Sequence, residues 1–178
     1  MSTPDHVVLM ATYNAWMNAK IYEAAAKLAP EALALDQKAF FRSILGTLNH
    51  IVVGDTLWLK RFATHPSRHA ALAPVRALGS PSALDQILFT DLRSLAAHRT
   101  MLDGVINEWA AALTADDLRH ELLYSNTRGE QFKRRFSSLV MHFFNHQTHH
   151  RGQATTLFMQ AGVDVGVTDL LPLIPTAP

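Results

Sequence analysis

Residues 137–159 read SSLVMHFFNHQTHHRGQATTLFM, and four of the chain's ten histidines fall inside them: His142, His146, His149 and His150. On a helical wheel at ~100° per residue with His146 at zero, Leu139, Phe143, Ala154 and Leu157 lie between about +20° and +80°. His150 falls at about +40°, inside this apolar sector, with His146 at its edge. His142 and His149 fall outside it, near −40° and −60°. The segment therefore predicts an amphipathic helix with His146 and His150 inward, one turn apart. Two buried imidazoles need partners, because an unpaired polar group in a core costs on the order of 1–3 kcal/mol. A transition metal satisfies both at once; hydrogen bonds to side chains or buried water also would.

The rest of the chain predicts three more long helices. Thr3 and Pro4 read as an N-cap and first helical residue. Val7, Met10, Tyr13, Met17, Ile21, Ala24 and Leu28 follow at helical spacing, and Pro30 closes the run. Asn14 and Asn18 on this helix face either water or a polar pocket. Asp36 is positioned to cap a second helix running to about Ala63, with Phe41, Leu45, Leu48, Val52, Leu59 and Phe62 on its core side. Within it, Gly46, His50 and Gly54 form a column at four-residue spacing. Each helical glycine costs ~1 kcal/mol relative to alanine. Either space is being cleared around His50, or the helix packs closely against a neighbour and His50 is incidental.

Residues 64–82, with three prolines, read as a long connection in which His65 and His69 are exposed. Helical spacing returns from Ala83 to about Leu113, with Asp91 or Gly104 marking an irregularity and His98 read as a hydrogen-bonded core residue. Leu122, Tyr124 and Phe132 flank the polar run 125–129 and predict a hairpin. Gly162 reads as the C-cap of the histidine helix. In the tail beyond it, Leu170, Leu171, Leu173 and Ile174 pack back on the helices or on a second subunit. The expected architecture is all-α, a four-helix bundle in one domain spanning 1–178.

Composition narrows the function. Apolar residues make up 48% and charged residues 17%, as in a globular protein. A net charge of +1 and a single short basic cluster, Lys133 to Arg135, speak against nucleic-acid binding. Without cysteine there is no thiolate ligand, thiol nucleophile or disulfide. The N-terminus does not read as a signal peptide and no stretch reads as a membrane span, so the expected location is cytoplasmic. The HxxxH spacing at 146–150 echoes the zinc-peptidase HExxH motif, but position 147 is Gln and the general base is missing.

Residues 145–153, NHQTHHRGQ, resemble the NHxxxHRGQ pattern of the DinB-like superfamily of metalloenzymes. Leu48-Asn49-His50-Ile51 followed by Trp58 is similar to that family's second-helix motif, and Tyr13-Asn14-Ala15-Trp16 to its first. The resemblance implies an up-down-down-up bundle, often a homodimer, with a long connection between helices 2 and 3 and a short hairpin before the last helix. It implies a divalent metal, nickel or zinc and sometimes iron, held by His50, His146 and His150. The wheel and the glycine column point to the same three residues. Three neutral imidazoles leave a coordination position for water or a thiolate, as in catalytic sites. Tyr13, Trp16, Met17 and Trp58 are candidate pocket residues, though each also suits plain core packing. His142, His149, Arg151 and Gln153 are candidates for supporting the ligands. Asp55 and Glu130 have no evident place in the chemistry, and no general acid or base can be named. Relatives in the resembled family include S-transferases of low-molecular-weight thiols and a mycothiol-dependent maleylpyruvate isomerase. A thiol S-transferase acting on a small molecule is therefore one expectation. A metal-dependent hydrolase and a non-enzymatic metal-binding or stress-response protein are the others.

Overall fold

A computed structural model describes residues 3–176; Met1, Ser2 and the last two residues of the expected tail and domain lie outside them. The described chain is mostly helical. In order it forms α1 (Pro4–Ala25), α2 (Pro30–Ala34), α3 (Ile44–Phe62), α4 (Ala73–Ala77), α5 (Leu92–Ala112), α6 (Ala115–Arg119), strands β1 (Glu121–Ser125) and β2 (Gln131–Arg135), and α7 (Phe136–Gln160). The strands pair antiparallel with Tyr124 opposite Phe132. None of the described helices is long and apolar enough to cross a membrane.

α1 packs on α5 and α7, and α3 packs on α7 and α5. Their directions follow from which residues meet. His50 meets His150 while Gly54 meets His146, so α3 and α7 are antiparallel. Asp55 meets Arg99 and Phe62 stacks on Trp109, so α3 and α5 are parallel. In the core the fully buried Phe62, Trp109, Phe136 and Phe143 pack ring against ring. Such aromatic contacts add to burial, and truncating one of these rings to alanine costs about 3–5 kcal/mol.

A polar layer crosses this core. Asn14 and Asn18, both buried, donate to Asp103 Oδ1 at 3.0 and 2.9 Å, so the polar-pocket reading holds for both. Arg99 bridges Asp103 to the fully buried Asp55, which also accepts from Gln147 at 2.9 Å. Burial works against the Arg99 cation, but Asp103 and Asp55 outweigh it and hold the residue protonated.

Several boundaries differ from expectation. Helix α3 begins at Ile44, capped by Ser43, whose Oγ accepts the Gly46 amide at 3.0 Å. Asp36 instead closes a turn, accepting the Lys38 amide and pairing with Arg42. Lys38 and Arg42 both have positive φ, which a continuous helix excludes. Pro30 opens α2 rather than ending α1. Helix α5 begins at Leu92, capped by Asp91, the anticipated irregularity, whose side chain accepts the Ser94 amide at 2.8 Å. Residues 83–91 do not join it. Buried Asn49 accepts the Leu88 and Phe89 amides and donates to the Phe89 carbonyl, all at 2.9–3.0 Å, taking the place of helical bonds.

Contrary to expectation, His65 and His69 are buried, 2% and 9% exposed. The connection carrying them folds into a 3₁₀ turn at Ala70–Leu72 and α4, which press Leu72 and Val75 into the core. His98 is half-buried with its ring against Phe89. Gly162, at φ 79°, ends α7 in a Schellman motif: Val163 bonds back to Phe158 and Gly162 to Met159. The tail then lies on α1, where the Tyr13 hydroxyl donates to the Thr168 carbonyl at 2.7 Å. Leu170 and Leu173 pack on the core, whereas Leu171 and Ile174 are exposed.

Candidate metal centre

Antiparallel pairing of α3 and α7 brings His50 opposite His146 and His150. His50 Nε2 lies 3.2 Å from His146 Nε2 and 3.1 Å from His150 Nε2. A shared ion at about 2.1 Å from each nitrogen puts two such nitrogens about 3.0–3.4 Å apart, for bond angles of about 90–109°. The spacing fits that requirement.

The tautomers fit as well. His50 Nδ1 is 2.7 Å from the Leu84 carbonyl, which only accepts, so Nδ1 carries the proton and Nε2 presents a lone pair. His150 Nδ1 is 2.8 Å from Gln153 Oε1, with the same result, and the Gln153 amide nitrogen lies 3.3 Å from His149 Nε2. Two lone pairs therefore face each other across 3.1 Å, an arrangement that is repulsive unless a cation sits between them. Such anchoring of the remote ring nitrogen is what orients metal-ligating histidines.

Burial lowers the pKa of all three imidazoles. For His146 burial, reinforced by neighbouring His150 and His50, takes it to about 3. For His50 burial outweighs the Leu84 hydrogen bond, and for His150 it outweighs the Gln153 bond. The three imidazoles are neutral at pH 7, as metal binding would require.

The glycine column works differently from its first reading. A Cβ on Gly54 would lie 2.6 Å from His146 Cε1, so this glycine makes room for His146 rather than for His50. A Cβ on Gly46 would lie 2.1 Å from the Phe41 carbonyl oxygen. Gly46 thus lets the 37–43 turn fold over α3, where the Phe41 ring stacks on His50 at 3.7 Å between centroids. His50 is only 4% exposed, while His146 and His150 are half-buried and reach the surface.

The other anticipated residues divide. Gln153 and His149 adjoin His150, and His142 lies between His146 and Trp58, its ring 5.0 Å from the indole. Arg151 points elsewhere: it is buried against α1, donating to Asn14 and Thr148 and lying over the Tyr13 ring. Burial lowers its pKa to about 10. Tyr13 and Trp16 pack on each other, and Met17 is buried in the main core. All three belong to the α1 side, with Arg151, and not to the histidine cluster. Glu130 sits at the hairpin turn with Asn126 and Arg128.

Phe41 and the Leu84 carbonyl are parts of the centre that no sequence pattern indicated, since each lies in a loop placed only by tertiary packing. A second cluster, His65, His69 and Asp117, also has the donors to hold an ion. Its HxxxH spacing equals that of His146 and His150, but it lies in a proline-rich stretch where four-residue spacing promises no shared face.

A sequence model of the DinB family matches residues 1–176. Protein DinB of Bacillus subtilis (strain 168) is 25% identical over 165 residues, covering 93% of this chain and 91% of that protein. No solved structure gives a significant match. With the match running through both histidine-bearing helices and the hairpin that leads into the second, the chain belongs to the DinB family.

Proposed function

We propose that this protein is a metal-dependent enzyme, holding nickel or zinc with His50, His146 and His150, and that it transfers a low-molecular-weight thiol to a small electrophile. The observation carrying the reading is the convergence of Nε2 lone pairs whose opposite ring nitrogens are fixed by Leu84 and Gln153. A divalent ion bound there supplies Lewis acidity toward a thiol or water. The protein's own groups do the rest. Leu84 and Gln153 hold the ring protons away from the centre. Phe41 covers one side of His50, while half-buried His146 and His150 leave an approach from solvent. Trp58 and His142 flank that approach.

In the proposed reaction the thiol sulfur bonds to the electrophilic carbon, the bond to a leaving group such as halide breaks with its electron pair, and the thiol proton passes to solvent. The fold reading that accompanies it is a single four-helix bundle with up-down-down-up order, supported by the α3–α7 and α3–α5 pairings. A cytoplasmic homodimer completes it, for which exposed Phe40 and Leu171 offer apolar surface.

One observation favours a non-enzymatic metal-binding reading. Asp55, the buried carboxylate on the histidine-bearing helix, is committed to Arg99 and Gln147 and is not free as a base. Metal analysis of purified protein, followed by turnover of chlorodinitrobenzene with a panel of small thiols, separates the possibilities. Metal-dependent and thiol-dependent turnover that is lost in His50→Ala is the expected result. Ester hydrolysis without added thiol would indicate a hydrolase, and bound metal without turnover a binding protein. A protein that takes up no metal at these histidines overturns the proposal.

A further inference from the structure

The geometry points to a second divalent-cation site, built from His65, His69 and Asp117, that ties the connection after α3 to α6. It lies beyond the end of α3, about 18 Å of helical rise from His50, and shares no residue with the first centre. All three side chains are at least nine-tenths buried, at 2%, 9% and 7% exposure. One ligand atom from each lies within 4.8 Å of the other two. His69 Nε2 is 3.8 Å from Asp117 Oδ2, and His65 Nδ1 is 3.9 Å from Asp117 Oδ1. Both distances are too long for hydrogen bonds. An ion bonded at about 2.0–2.1 Å to both partners at a tetrahedral angle needs about 3.3–3.4 Å, so binding would draw each histidine nitrogen about 0.5 Å toward Asp117.

The buried His69 Nε2 aims at this gap and has no hydrogen-bond partner among the described residues. An imidazole nitrogen buried beside a carboxylate it does not reach is costly without a third party. Asp117 is already fixed for ligation. Its Oδ1 accepts from the Ser67 hydroxyl, and its Oδ2 accepts from the Thr114 amide and hydroxyl at 2.9 and 2.8 Å. Oδ1 keeps a lone pair for a cation, while both of those on Oδ2 are taken by Thr114. His65 Nδ1 accepts the Ser67 amide at 3.2 Å, a long bond that ligation replaces; Ser67 is exposed, so its amide can turn to water. Two imidazoles and a carboxylate suit zinc or another divalent transition ion. The consequence is structural: the ion cross-links residues 65–69 to the capping box that starts α6.

Cobalt(II) and zinc titrations of untagged full-length protein test this, in a background carrying His50→Ala and His146→Ala so that the first centre is silent. That background is expected to bind one equivalent. With metal at about a hundred times its Kd, thermal unfolding should move up by roughly 5–11 °C. Adding His69→Ala should abolish both the equivalent and the shift. Adding His6→Ala, an exposed histidine on α1 outside both clusters, should leave both unchanged. Asp117 also caps α6, so His69→Ala is the deciding variant, its fold checked by circular dichroism. No equivalent in the background protein overturns the site, as does an equivalent that survives His69→Ala. Because the background lacks the first centre, failure of that centre alone leaves this result intact.

Discussion

Gln153 and Gln147 both lie on α7, six residues apart, yet they act on different neighbours. Gln153 accepts the His150 Nδ1 proton and so aims the opposite nitrogen at His50. Gln153→Ala should weaken metal binding by about 10- to 100-fold, as loss of such support does elsewhere. Gln153 is only partly buried, so unfolding should be little affected. Competition against a metallochromic chelator measures the first effect and urea unfolding the second. Gln147 occupies the place of the catalytic glutamate in HExxH, but it is fully buried and donates to Asp55 rather than facing the histidine cluster. Gln147→Glu should therefore create no peptidase. It should destabilise the fold by about 3 kcal/mol at pH 8, because two carboxylates then share a buried site. Pairing with Asp55 and burial would raise the new carboxyl's folded pKa above its unfolded value. The sign follows: stability is retained below the unfolded pKa and lost as pH rises through the folded one. Unfolding curves at pH 4.5 and pH 8 should diverge for the variant more than for the parent, and parallel curves would count against this placement of Gln147.

At the scale of elements, helix starts are set by caps more than by apolar spacing. The spacing of Phe41, Leu45 and Leu48 extends smoothly back toward Asp36, yet α3 starts at Ser43. Ser43→Ala should cost about 1 kcal/mol and lower Tm by roughly 2–4 °C. Asp36→Ala, at an exposed turn, should shift it less; differential scanning of the two variants decides which residue is the cap. The same reasoning explains why Leu84 and Leu88, in phase with α5, do not belong to it. Asn49 takes over the backbone of residues 88 and 89, and the freed Leu84 carbonyl becomes the support of His50. A local pattern cannot report a competitor that arrives from another helix.

For the whole molecule, the polar layer through Asp55, Arg99 and Asp103 is where stability is most exposed to single changes. Arg99→Met leaves two carboxylates without their cation and should cost about 3–5 kcal/mol in urea unfolding. The exposed pair Arg119–Asp116 offers the contrast: Arg119→Ala should leave the transition where it was.

The helical class, the hairpin and the inward pair His146 and His150 could be read from periodicity, because a 3.6-residue repeat places side chains on a face whatever the helix later packs against. The composition and the missing cysteines limited the chemistry in the same local way. His50 was reachable as a suspicion, through its glycines, but what those glycines accommodate is His146 in one case and the Phe41 backbone in the other. Helix pairing alone decided that. It also buried His65 and His69, drew Asn14 and Asn18 onto Asp103, and turned Arg151 away from the histidines toward α1. These outcomes depend on contacts between residues 48 to 137 positions apart, and no local repeat encodes which distant side chain arrives to satisfy a buried polar group.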